Sequence, residues 1–218
     1  MIIDTSEKPF PFLLIRNFYS ESELKYIFKE LDFLTSPFKF LNADSTYSAS
    51  DSSGNIKKSG YGLFLDDIYN ERRISNILTL NRKIFNKEVK DNFSSLHSTY
   101  NAINFVNVDS TLINYYENSD KYDSHIDISL FTFVTFFFKE PKKFKGGNFI
   151  FSEYNYEIDI ENNMVVGFPS DTIHEVTQVE LNQDKVFSGY GRYSMTQFLF
   201  SKIESMQDLK SLISISSE

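Results

Sequence analysis

The chain has 218 residues, enough for one domain with a sizeable core, and 41% hydrophobic and 24% charged residues, as in ordinary soluble globular proteins. Its net charge of −8, from 22 basic against 30 acidic residues, argues against non-specific nucleic-acid binding, which depends on Lys and Arg meeting phosphates. The absence of Cys excludes disulfides, thiolate metal sites and cysteine nucleophiles, so any metal must be held by His, carboxylates and water. Only His97, His125 and His174 are available. With 23 Phe and 13 Tyr but no Trp, the composition favours a sheet protein packed on aromatic side chains. The N-terminus lacks the basic start and apolar run of a signal peptide, and no segment has the ~18 to 20 apolar residues of a membrane span. A cytoplasmic protein is expected.

Residues 9–18 read as an opening strand. Ser20 and Glu23 form a capping-box pattern, and Leu24, Ile27, Phe28 and Leu31 follow at helical spacing, so a helix is expected to start near Glu21. Residues 36–62 are rich in Ser, Asn, Asp and Gly without periodicity and predict a long loop with short strands inside. Such a loop either faces substrate or is a plain surface excursion. From Asn70 to Phe93, the apolar positions Ile74, Ile77, Leu78, Ile84, Phe85, Val89 and Phe93 predict one long helix against the outside of a sheet. His97, at its end, belongs to no motif and is expected to be structural.

Beyond residue 100 come strand-like runs at 111–116, 129–138, 148–151, 164–168, 175–179 and 192–200, separated by turn signals such as Glu140-Pro141 and Gly146-Gly147. Many short strands without intervening helices predict an antiparallel sandwich or barrel. The polar tail after Ser201 carries a weak helical pattern through Leu209 and Leu212.

His125 and Asp127 are two residues apart, so in a strand they project from one face towards a common ion. His174 opens a later strand run and supplies a second imidazole. Two His and one carboxylate leave coordination positions open, the donor set of non-haem Fe(II) oxygenases. In the run Gly191-Arg192-Tyr193-Ser194, Arg192 is suited to a planar, bidentate carboxylate contact, and Ser194 shares its strand face.

In the ordered set Leu112–Tyr116, Tyr122, His125-Ile126-Asp127, Thr132–Phe137, Gly146-Gly147, Val166–Val176 and Gly191–Ser194, the sequence resembles the Fe(II)/2-oxoglutarate-dependent dioxygenases, in particular their prolyl-4-hydroxylase-like branch. The opening strand and helix are similar to that family's N-terminal module. The resemblance implies a mainly β fold, a double-stranded β-helix (jelly roll) with an N-terminal α-helical buttress. It implies a single domain over 1–218, with residues 1–100 forming the N-terminal strand, helices and loop, and 101–201 the catalytic core. It further implies that His125, Asp127 and His174 bind Fe(II), that Arg192 pairs with the distal carboxylate of 2-oxoglutarate, and that Tyr116, Ser194 and Thr132 line the co-substrate pocket. O₂ and a reductant such as ascorbate complete the chemistry. Asp127 as a ligand leaves no place for a bound halide, which favours hydroxylation over halogenation.

Two departures from the family pattern bear on these expectations. The His174–Arg192 spacing is long, read as an extended hairpin, which keeps Lys185 open as the carboxylate partner. Asn148 follows the Gly pair where prolyl hydroxylases usually carry Glu. The expected substrate is a peptidyl side chain, proline first. A free amino acid or small metabolite, and a jelly-roll binding protein without catalysis, are the alternatives; no nucleic-acid or membrane partner is expected.

Overall fold

In a computed structural model, residues 1–35, 39–182 and 188–203 are described. Lys185, the tail pattern at Leu209 and Leu212, and residues 183–187 of the expected hairpin lie outside them. Fourteen strands are present among the described residues: β1 (Ile2–Ser6), β2 (Phe12–Arg16), β3 (Leu41–Asn42), β4 (Tyr61–Phe64), β5 (Val108–Tyr116), β6 (Tyr122–His125), β7 (Phe131–Phe137), β8 (Phe144–Gly146), β9 (Phe149–Phe151), β10 (Tyr156–Ile158), β11 (Met164–Pro169), β12 (His174–Val176), β13 (Val179–Leu181) and β14 (Arg192–Phe200). They form a major sheet in the order β1-β2-β11-β7-β14-β5-β4-β3, a minor sheet β10-β9-β12-β6 and the pair β13-β8. All pairings are antiparallel, as the jelly roll requires.

The central strands of the major sheet are buried on both faces, which explains their continuous apolar runs. In β7, Phe131, Phe133 and Phe137 face one core while Val134 and Phe136 face another. The first core joins the sheet to helix α1 (Glu21–Leu34) through Ile27, Leu31 and Leu34, to α3 (Asn76–Leu80) through Ile77 and Leu78, and to α4 (Lys87–Leu96) through Val89 and Phe93; the short α2 (Leu65–Ile68) lies before α3. The second core fills the space between the two sheets, with Phe12, Phe149, Phe151, Phe168 and Val176. Burying each such aromatic contributes on the order of 2 kcal/mol, so this aromatic filling is a principal source of cohesion between the sheets.

The capping box at α1 is present: Ser20 Oγ accepts from Glu23 N at 3.3 Å and Glu23 Oε2 accepts from Ser20 N at 2.7 Å. The single helix expected over 70–93 is a correction. The segment is broken into a 3-10 turn at Arg72–Ile74, α3, a 3-10 helix at Asn81–Phe85, and α4. Ser75 caps α3 by accepting from Leu78 N at 3.0 Å, and the buried Asn81 amide donates to Thr111 Oγ1 at 2.9 Å. Asn86 is extended and starts α4 anew. The Ser75 cap, the tie of Asn81 to the sheet and the extended Asn86 each break the helix, so the apolar stripe continues while the helix does not. The run expected at 175–179 is likewise two strands, β12 and β13, which pair with different partners. Among the described residues no helix is long and apolar enough to cross a membrane.

Candidate metal and co-substrate centre

In the minor sheet, β6 and β12 run antiparallel with His125 directly opposite His174, and the register shifts immediately after His174. Their rings lie 4.3 Å apart at 53°. Asp127 stands just beyond the end of β6 rather than within it; its backbone N–H donates to Ser170 O at 2.9 Å, which turns the carboxylate back towards the histidines. His174 Nε2 is 3.6 Å from Asp127 Oδ2, and one ligand atom from each of the three residues falls within 4.8 Å of the others.

Each imidazole is oriented by its own chain. Nδ1 of His125 lies 2.9 Å from Asp123 O, and Nδ1 of His174 lies 2.9 Å from Thr172 O. A carbonyl only accepts, so Nδ1 donates in both rings and the Nε2 lone pairs are free for a cation. Tyr122 stacks on His125 at 3.5 Å and 13°, and Phe149 on His174 at 5.3 Å and 25°. Burial, reinforced by His174, pushes His125 down to about 2, so it stays neutral. Burial raises Asp127 above the usual carboxylate range, against the pull of His174 and the Thr132 hydroxyl. A divalent cation would compensate the buried carboxylate and keep it ionised.

Arg192 begins β14, opposite Tyr116 of β5. Its side chain is fully buried, and Nε, Nη1 and Nη2 have no hydrogen-bond partner among the described residues. The guanidinium carbon lies 5.0 Å from the Tyr116 ring and 5.1 Å from the Phe136 ring. Burial lowers its pKa to about 10, with Tyr116 opposing, so it is still a cation at neutral pH. Space for it comes from Gly147 (φ +68°): a Cβ there would sit 2.8 Å from Arg192 Cδ and 2.9 Å from Val179 Cγ2. A buried guanidinium without a partner is costly, and a planar carboxylate is the ligand that matches its donors.

A cavity of about 290 Å³ connects these groups. His125, Asp127, His174, Tyr116, Arg192 and Ser194 all line it. Ser194 lies two residues along β14 from Arg192, on the same face, and opposite Asn114, whose amide reaches Ser194 Oγ at 3.4 Å. Thr132 stands behind the carboxylate and not in the cavity wall. Its hydroxyl donates to Asp127 Oδ2 at 2.7 Å and is 2.9 Å from Ser170 Oγ. The Thr132 hydroxyl, expected to face the co-substrate, is engaged here with Asp127 and Ser170. His97 is exposed and accepts from Thr99 N at a helix start.

Residues to which the sequence assigns no role also shape the site. Ser170 joins Thr132 and Ser129 behind Asp127. Tyr122 stacks on His125 and accepts from Ala49 N at 2.8 Å. Of the 36–62 loop, Thr46, Tyr47, Ser48, Ala49 and Lys58 line the cavity, and Lys58 bridges to Tyr122 through its backbone. Asn114 had a legible signal, the period-2 alternation with Tyr116. Lys58, in a loop without periodicity, had none.

The donor set fits iron and a dicarboxylate: two imidazoles and a carboxylate on one side, and further into the same cavity a guanidinium without a hydrogen-bond partner among the described residues. Residues 111–200 match the model of the 2OG-Fe(II) oxygenase superfamily. No curated protein sequence matches the chain. Among solved structures, a Pseudomonas putida prolyl-4-hydroxylase is 13% identical with a TM-score of 0.60, the alignment covering 88% of this chain and 93% of that one. A 2OG-Fe(II) oxygenase family oxidoreductase from Burkholderia pseudomallei is 14% identical, TM-score 0.54, covering 88% and 85%. The viral collagen prolyl hydroxylase of Paramecium Bursaria Chlorella virus-1, solved with 2OG, is 12% identical, TM-score 0.51, covering 86% and 94%. These likenesses show the fold; the family match lies in residues 111–200, the part of the chain that carries His125, Asp127, His174 and Arg192, and together with the donor set it supports a dioxygenase using Fe(II), 2-oxoglutarate and O₂.

Proposed function

We propose that the chain, acting as one domain, hydroxylates an unactivated C–H bond of a peptidyl side chain, with Fe(II) on His125, Asp127 and His174 and the distal carboxylate of 2-oxoglutarate on Arg192. The observation that carries this reading is the buried guanidinium of Arg192, without a hydrogen-bond partner among the described residues, facing the same cavity as the two imidazoles and the carboxylate. Iron with 2-oxoglutarate and O₂ supplies the oxidising power, and succinate and CO₂ are the by-products.

The chain's own residues position and shield. Asp123 O and Thr172 O fix the imidazole tautomers, and Thr132 fixes Asp127. Tyr116 flanks Arg192 and Ser194 adds a hydroxyl beside it. The aromatic walls of Tyr122, Phe149 and Phe168 around the imidazoles exclude water from the metal side.

An extended substrate is supported by the cavity's course along the sheet. Beyond Arg192 and Ser194 its wall continues through Thr196, Phe198 and Phe200 of β14 and through Leu112 and Ser110 of β5. At ~3.3 Å per residue this face runs for over 20 Å. Exposed Ile128 and Ile126 stand at its rim. The volume of about 290 Å³, at the small end for ligand pockets, is the observation that favours the second reading, a free amino acid or small metabolite.

The test incubates the protein with Fe(II), ascorbate, 2-oxoglutarate and a proline-containing peptide library, following succinate and the gain of one oxygen by mass. Peptide hydroxylation coupled to succinate is expected. Oxidation confined to free amino acids would select the second reading, and absence of both succinate and iron binding would overturn the oxygenase assignment of these residues.

A further inference from the structure

Lys58 brings a second side-chain cation into the cavity besides Arg192. It comes from the 36–62 loop, is 5% exposed, and lines the cavity together with Arg192, Ser194 and the metal-side residues. Its ammonium makes one hydrogen bond among the described residues, to Asn114 Oδ1 at 2.6 Å. The other end of that amide is engaged with Ser194 Oγ, so Asn114 cannot offer a second acceptor. An ammonium has three donors and no acceptor, which leaves two N–H groups to be satisfied. The Tyr122 ring lies 5.9 Å away, and Asp120 attracts Lys58 through space while its Oδ2 accepts from Glu117 N at 2.8 Å.

Local sequence makes room for this ammonium. A Cβ at Gly62 would sit 3.0 Å from Lys58 Nζ, 3.1 Å from Thr46 Cγ2 and 3.3 Å from Asn114 Oδ1. Charge counting then separates Lys58 from the other cations. In the oxygenase reading, on which this inference rests, Arg192 matches one carboxylate of 2-oxoglutarate, and a divalent metal with Asp127 leaves one positive charge for the other. Lys58 remains in a low-dielectric cavity, hydrogen-bonded to a neutral amide and facing Asp120 only through space. Its burial depresses its pKa to about 7 despite the opposing pull of Asp120, a shift that an incoming anion would reverse.

We propose that Lys58 is a second carboxylate-binding residue of the active-site cavity, taking an anionic oxygen that neither Arg192 nor the metal holds. The charge count favours a carboxylate on the substrate, such as an acidic side chain or a free chain terminus next to the oxidised position. The keto-acid end of 2-oxoglutarate is the other source of the same chemistry.

The test uses the full chain and its Lys58→Gln and Lys58→Arg variants, with folding checked by circular dichroism. Protein loaded anaerobically with Fe(II) is titrated with 2-oxoglutarate by its charge-transfer absorption. The loaded complex is then titrated by calorimetry with pairs of N-acetyl amino acids and their amides, N-acetylproline and N-acetylprolinamide first. An acid-over-amide preference of at least tenfold in wild type, lost in Lys58→Gln and kept in Lys58→Arg, supports the proposal and assigns the substrate as source. A tenfold or greater loss of 2-oxoglutarate affinity in Lys58→Gln, restored in Lys58→Arg, supports it and assigns the co-substrate. Unchanged 2-oxoglutarate affinity in Lys58→Gln, together with no acid preference in wild type across the series, overturns it. Failure of the underlying oxygenase reading is separate, since wild type would then give no charge-transfer absorption at all.

Discussion

Replacing Arg192 by Met removes the guanidinium while keeping a long apolar stem in the space that Gly147 leaves open. All three guanidinium nitrogens lack partners among the described residues in a fully buried setting, so the substitution removes an uncompensated charge. Stability of the ligand-free protein should therefore rise by ~1–3 kcal/mol. For a chain of this size that corresponds to a melting temperature higher by ~2–4 °C per kcal/mol. Binding moves the opposite way. Two charge-assisted hydrogen bonds to a carboxylate, at ~1.5–3 kcal/mol each, are lost, which weakens 2-oxoglutarate by ~100-fold or more. The assay is thermal unfolding with Mn(II), with and without 2-oxoglutarate. A ligand at about 100 times its dissociation constant stabilises by about 2.7 kcal/mol, so wild type should shift upward on addition and the variant should not. A variant that melts lower than wild type when empty, yet is stabilised by 2-oxoglutarate as wild type is, would refute the reasoning.

Thr132→Val keeps the shape of the side chain but removes the donor to Asp127 Oδ2, and Fe(II) affinity measured by equilibrium dialysis should fall ~10- to 100-fold with the fold intact. Gly147→Ala drives a Cβ into Arg192 Cδ and Val179 at a positive φ, so both melting temperature and 2-oxoglutarate affinity should drop; a destabilisation of ~2 kcal/mol or more is expected from chemical denaturation. Lys58, with a folded pKa of about 7 against 10.5 for the free side chain, binds fewer protons when folded over that interval. Its contribution to stability is therefore lost as pH falls towards 7 and regained as pH rises, and ligand-free wild type should gain stability between pH ~7 and ~9 relative to Lys58→Met. Parallel pH profiles for the two proteins would contradict this.

What was legible in the sequence was what local chemistry or strand parity determines. The Ser20/Glu23 cap acts over one turn, and α1 starts where it predicts. The pairing of His125 with His174 is a register fact, yet both residues were identifiable because only three histidines exist and two fall in strand-edge patterns. Arg192 and Ser194 alternate with Tyr193 and Met195, and the sheet keeps that alternation: the first pair lines the cavity and the second enters the core against the helices. The long helix over 70–93 was misread because its pieces all turn an apolar side to the same sheet, so the stripe persists across the breaks at Ser75, Asn81 and Asn86. β1 escaped notice because it is an edge strand with mostly exposed residues and no apolar period. Thr132 shows a different limit of the sequence. Its face follows from strand parity, but whether that face meets Asp127 or co-substrate depends on the turn after β6, a long-range feature. Lys58 reaches the cavity only because the loop folds back onto Tyr122.

The most direct measurement is a crystal structure of the chain grown anaerobically with Mn(II) and 2-oxoglutarate. The account predicts one metal ion bound by His125 Nε2, His174 Nε2 and an Asp127 carboxylate oxygen, with the distal carboxylate of 2-oxoglutarate on the Arg192 guanidinium. Metal on other residues, or 2-oxoglutarate bound with Arg192 still unpaired, would contradict it.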